Sequence, residues 1–200
     1  MLKSRMKKLA FLVLLHTVLT SQAQNVNDAQ LTNRLQEYIS LTKKLDFEKA
    51  MDYTHPKLFT IAPRKMVVQA MNQAFTSKEM KIRFDSMSIA SISPVYKFNN
   101  ASYRKIDYYM ALTVSLSDST DLKNAELAEF MQLSFEAGFP GKKVIVDTVN
   151  NAIKVAGNEI MFAIKDPTVK EWMFLGYDKS KPEMITKLYP KQVRQYFKIL

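Results

Sequence analysis

The run from Tyr103 to Leu116 limits the fold more than any other stretch of the chain. Ile106, Tyr108, Met110, Leu112, Val114 and Leu116 alternate with Lys105, Asp107, Tyr109, Ala111, Thr113 and Ser115. Successive strand side chains point to opposite faces, so six apolar residues at period two specify a long antiparallel strand with one buried face. An earlier run has the same period, with Met80, Ile82 and Phe84 set against Lys81, Arg83 and Asp85. Its phase slips at Ser86-Met87, after which Met87 and Ile89 take the apolar role. A slip within one strand is the mark of a bulge or a sharp bend.

The period ahead of these strands is helical. Asn27 with Gln30 three residues on matches a capping box, and Leu31, Leu35, Tyr38, Thr42 and Leu45 follow at three- and four-residue steps. Asp46 is placed to cap a short helix from Phe47 to Tyr53. Pro56 breaks the segment Thr54 to Phe59, because the residue before a proline is pushed away from helical angles. Pro63 suits the first position of a third helix carrying Met66, Val67, Ala70, Met71, Ala74 and Phe75.

Beyond the long strand, Asp121 to Gly138 returns to helical spacing through Leu122, Leu127, Phe130, Met131 and Phe135. Two hairpin-like pairs follow. Lys143–Thr148 and Ala152–Val155 flank Asn150-Asn151, and Glu159–Lys165 and Glu171–Tyr177 flank Asp166-Pro167. Lys181 to Phe197 is predicted as one helix interrupted at Pro190. This order predicts an α+β fold, with N-terminal helices against a strongly curved antiparallel sheet, an extra helix near 121–138 and a C-terminal helix.

The N-terminus carries Lys3, Arg5, Lys7 and Lys8, then the apolar run Leu9 to Thr20, then Ser21-Gln22-Ala23. This is the pattern of a signal peptide cut between Ala23 and Gln24, and the apolar run is too short for the about 20 residues of a membrane span. The expected organisation is a leader at 1–23 and one domain at 24–200, released to the periplasm or beyond. No Cys follows the apolar run, so a lipid anchor on cysteine is chemically excluded.

Composition narrows the chemistry. Without its four leader cations the chain keeps 25 of its 29 Lys and Arg against 19 acids, a net charge of +6. The signs are mixed along the sequence, which speaks against nucleic-acid binding. Cysteine is absent and His55 is the one histidine outside the leader, so thiol chemistry and multi-histidine zinc sites are excluded. The four glycines, at 138, 141, 157 and 176, form no phosphate-binding loop. No cofactor is expected.

The remaining candidates for chemistry are Asp52, Tyr53, His55, Asp107 and Tyr109. An Asp in an apolar pocket can shuttle a proton while a Tyr hydroxyl stabilises an enolate. Each has a plain structural reading as well: Asp52 as a helix end, Tyr53 as packing, His55 as a loop hydrogen-bond partner, and Asp107 with Tyr109 as the solvent face of their strand. The Met residues, Met66, Met71, Met110 and Met131 among them, fall on expected core faces. Asp118-Ser119-Thr120 in a polar loop resembles an O-glycosylation tripeptide of exported bacterial proteins.

The element order resembles the cystatin-like, nuclear-transport-factor-like fold, also called SnoaL-like. Asp52-Tyr53-Thr54-His55-Pro56-Lys57-Leu58-Phe59 with Pro63-Arg64-Lys65-Met66 is similar to a family of exported proteins of Gram-negative bacteria. Glu171-Trp172-Met173-Phe174-Leu175 and Leu188-Tyr189-Pro190-Lys191-Gln192-Val193 resemble the closing strand and tail of that family. The resemblance implies export and a curved sheet that can enclose a pocket, and no particular activity. The expected function is non-catalytic binding of a small apolar ligand or an envelope protein. The alternatives are a cofactor-independent SnoaL-like isomerase or hydrolase using Asp and Tyr, and an envelope interaction module acting through Lys179, Lys181, Lys187, Lys191, Arg194 and Lys198.

Overall fold

The computed structural model describes residues 29–75, 77–117 and 121–199. The leader, its cut, the cap at Asn27 and the tripeptide Asp118-Ser119-Thr120 lie outside the described residues. One compact unit ends at Glu37 and another begins at Tyr38. Of the first, residues 29–37 are helical, with Leu31 and Leu35 buried.

Among the described residues the fold is α+β, with six helices and an open six-stranded antiparallel sheet. The helices are α1 (29–43), α2 (Phe47–Ala50), α3 (Arg64–Phe75), α4 (Ala125–Gly138), α5 (Pro182–Leu188) and α6 (Lys191–Tyr196). The strands are β1 (Met80–Ile92), β2 (Tyr96–Phe98), β3 (Ala101–Leu116), β4 (Lys143–Asp147), β5 (Ala152–Lys165) and β6 (Met173–Tyr177). No helix of the described residues is long and apolar enough to cross a membrane.

β3 and β5 form the spine, paired from Ser102 opposite Lys165 to Ser115 opposite Ala152. β1 and β2 share the outer edge of β3, and β4 and β6 share the outer edge of β5. The expected slip in β1 is a register shift between Phe84 and Ser86, and a second lies between Ile89 and Ser91.

Register sets the core. Phe84, Leu112, Val155 and Val144 stand in one row across the sheet, and Ile82, Val114, Ile153 and Val146 in the next. Phe75, Phe135 and Phe139 pack against this cluster. At the other end of the spine Phe162, Ile164 and Leu175 are buried with Ile185, Leu188, Tyr189 and Val193 of the C-terminal segment. Phe47, Ala50, Met51 and Val68 form a third cluster.

Three expectations need correction. The pieces at 152–155 and 159–165 are one strand, because β3 offers an unbroken partner along their whole length. The helix expected from Asp121 starts at Ala125. Asn124 caps it, its side chain accepting from the Leu127 N–H at 3.1 Å, while Asp121 accepts from the Lys123 N–H in the preceding turn. Met66, placed on a core face by its period, is 62% exposed, and Val68 is the buried residue of α3.

Candidate functional site

His55 is held on every side. Pro56 forces it into extended backbone, its ψ being 130°, and its N–H donates to the Phe174 carbonyl at 2.8 Å. Thr54 forms a parallel bridge with the same Phe174, so this segment runs along the outer edge of β6. The Nδ1 atom accepts from the Lys57 N–H at 3.2 Å, capping the turn Pro56–Thr60, which leaves the ring proton on Nε2. Nε2 stands 3.2 Å from Asp166 Oδ2 without an aligned hydrogen bond. Burial lowers the pKa of the ring, and the nearby Asp166 carboxylate opposes that shift. Burial also works against the charge on Asp166, but bonds from the Thr168 N–H and hydroxyl, together with His55, outweigh it and hold the carboxyl below its usual range. The pair joins the 54–57 loop to the turn before β6.

The other four candidates have surroundings of their own. Asp52 accepts from Arg64 Nη1 at 2.7 Å in an exposed ion pair. Tyr53 is half-buried on a short 3-10 turn, Met51–Tyr53. Asp107 accepts from the Ser91 hydroxyl at 2.9 Å and meets Lys105 Nζ at 3.1 Å. Tyr109, opposite Ser88, is 40% exposed. The polar face of β3 is therefore its solvent face at these positions.

A cavity lies elsewhere, between α5, the end of β6 and the Pro56–Thr60 turn, with a volume of about 260 Å³. Pro182 starts α5 with a preset φ, and Pro190 holds Tyr189 extended at φ −118° and ψ 127°. The Tyr189 hydroxyl thereby reaches the carbonyls of Leu175 at 3.0 Å and Gly176 at 2.8 Å, which fixes α5 over the strand. Leu58, Leu175, Met184, Ile185 and Leu188 supply apolar walls. A Cβ built at Gly176 would meet nothing within 4 Å, so this position opens on free space.

Two tyrosines give the cavity its polar character. Tyr108 and Tyr177 line it, and among the described residues neither hydroxyl has a hydrogen-bond partner. Burial, reinforced by nearby Glu159 and Tyr38, holds the Tyr108 hydroxyl well above the usual phenol range. Burial and Asp178 raise Tyr177 in the same sense. Both are neutral at physiological pH and can donate or accept. At the rim, the Asp178 carboxylate accepts from the Ser180 N–H at 2.9 Å and hydroxyl at 2.6 Å.

The cavity adjoins a notch of about 390 Å³, with Ile160, Tyr177 and Asp178 in both linings. The notch marks the gap between β4 and β6 along β5, where Gly157, Asn158 and Glu159 have no strand on the outer side. Lys142 lies across the gap, its Nζ bonded to the Asn158 carbonyl and 3.0 Å from Glu159 Oε1. A Cβ on Gly157 would come within 2.6 Å of Lys142 Cδ, so this approach needs glycine.

Tyr108, Tyr177 and Gly176 are not among the residues that the sequence alone singles out. The signal that could have found them is Tyr108 itself, a hydroxyl carried in the middle of an otherwise aliphatic strand face. No group of three His, Asp or Glu side chains among the described residues is placed to hold a metal ion. Comparison with protein-family models, with curated proteins and with solved structures finds no match in any of the three.

Proposed function

We propose that this chain is an exported, non-catalytic binding domain that takes a small, largely apolar ligand into the cleft between α5 and β6. One observation carries the reading: a cavity of about 260 Å³ with aliphatic walls and two unpartnered tyrosyl hydroxyls. Ligand sites are typically apolar clefts of about 300–1,000 Å³ with a few polar groups that orient the occupant, and the adjoining notch extends this cleft into that range. A dry cavity of about 150 Å³ holds benzene, so an occupant of two fused rings or a short acyl chain fits the dimensions.

The isomerase or hydrolase reading has less support. Asp178, the carboxylate at the cleft, is half-exposed and tied to Ser180, and Glu159 is paired with Lys142. The envelope-module reading rests on the basic C-terminal residues alone. For the architecture we favour the SnoaL-like type, because helices precede long, bulged antiparallel strands, with α4 as an addition to that pattern. Export rests on the leader sequence.

Titration with 1-naphthol, followed by its fluorescence, tests the cleft. The wild-type protein is expected to bind saturably. Gly176→Leu, which sends a side chain into the open space, is expected to weaken binding by about ten-fold or more, and Tyr108→Phe by about five-fold through the lost hydrogen bond. No saturable binding, or equal binding by all three proteins, would refute the reading.

A further inference from the structure

We infer that this chain pairs with a second copy of itself through the outer edge of β4. An open strand edge is a row of unpaired N–H and C=O groups, and folded proteins guard such edges. Three of the four outer stretches of this sheet are guarded. β1 carries two register shifts and the charges Lys81, Arg83 and Asp85. β2 lies against the C-terminal helix, with Tyr96 stacked on Tyr196 at 4.0 Å between ring centroids. β6 has Thr54 and His55 along its side.

β4 is the least guarded of the four, its charges Lys143 and Asp147 standing only at its ends. Among the described residues it pairs with β5 alone, and no hydrogen bond reaches its other edge. Its sequence, Lys143-Val144-Ile145-Val146-Asp147, has an apolar middle between opposite charges, and Ile145 is 44% exposed. Antiparallel pairing about a two-fold axis at Ile145 sets Lys143 opposite Asp147 twice and Val144 opposite Val146 twice, with Ile145 against its own copy. Parallel pairing in the same register would set Lys against Lys and Asp against Asp. The strand is therefore complementary to itself in one orientation only.

The Asp147 carboxylate already pairs with Lys154 at 2.8 Å and accepts from Asn150, so in this register the partner's Lys143 would join an existing ion pair. A five-residue pair alone buries less than the about 1,200 Å² of a stable interface. α4 packs against β4 and leaves Phe130 64% and Leu133 59% exposed, apolar surface that the second copy would have to cover for the pair to reach that size.

Analytical ultracentrifugation of the purified protein over a wide concentration range tests the pairing, together with hydrogen exchange of the 143–147 amides. A monomer–dimer equilibrium is expected, with those amides gaining protection as concentration rises. Ile145→Lys, which sets two ammonium groups against each other across the axis, is expected to raise the dissociation constant by about ten-fold or more, and Lys143→Glu by less. Both sites are on the surface, and unchanged circular dichroism verifies that the variants fold. A monomer at every concentration, or a dimer that Ile145→Lys leaves unaltered, would overturn the proposal.

Discussion

The two ends of the β3–β5 spine are finished differently. At one end Phe162, Leu175, Ile185 and Tyr189 are almost fully buried under α5 and α6, and the cleft sits among them. At the other end α4 covers the sheet without fully burying any of its own residues. One end is a closed core that leaves a space of defined shape. The other is a thin cover with apolar groups still facing outward. Where the covering helices are themselves buried they can shape an interior site, and where the covering helix stays exposed it leaves a surface for another molecule.

The largest expected effect breaks the closed end. Phe162 contacts the rings of Tyr177, Tyr189 and Phe197, so Phe162→Ala removes the centre of that cluster. A loss of about 3–5 kcal/mol in urea unfolding is expected. A loss below about 1 kcal/mol would mean the cluster is looser than its burial implies.

A smaller effect comes from acid, through His55. Burial sets its folded pKa below the unfolded value of about 6.5, so the unfolded chain takes up the proton first. Its contribution to stability is complete above about pH 6.5 and is lost as pH falls from there through the folded value. Denaturant midpoints measured across this window should decline in the wild-type protein and decline less in His55→Gln. A wild-type midpoint that rises on acidification would show that the Asp166 attraction outweighs burial.

The smallest effect belongs to the open end. Phe130→Gln on α4 is expected to change the stability of the monomer by no more than about 0.5 kcal/mol, since the ring is already mostly in solvent. A large loss on thermal unfolding of the dilute protein would show that α4 buries this residue after all, and would erase the contrast between the two ends.

Much of the fold was legible because its signals are local. The alternation of Tyr103–Leu116, the slip at Ser86-Met87 and the break at Pro190 each follow from a few adjacent residues. The continuity of β5 was not legible. Gly157 and Asn158 look like a break from within the segment, and only the partner strand and Lys142 make them part of one strand. The pairing of His55 with Asp166 likewise depends on where β6 brings the turn at 166. The cleft was hidden for a further reason. Its walls come from several distant segments and use residue types that ordinarily fill cores, so nothing at Tyr108, Leu175 or Met184 marks a cavity until the fold assembles it.

The central claim is that the space between α5 and β6 is a ligand site, and methyl NMR during titration with 1-naphthol tests it most directly. In the wild-type protein the Met184, Ile185 and Leu175 methyl signals should move together with saturation, and in Gly176→Leu they should stay still. Movement confined to the α4 methyls, or the same movement in both proteins, would contradict the account.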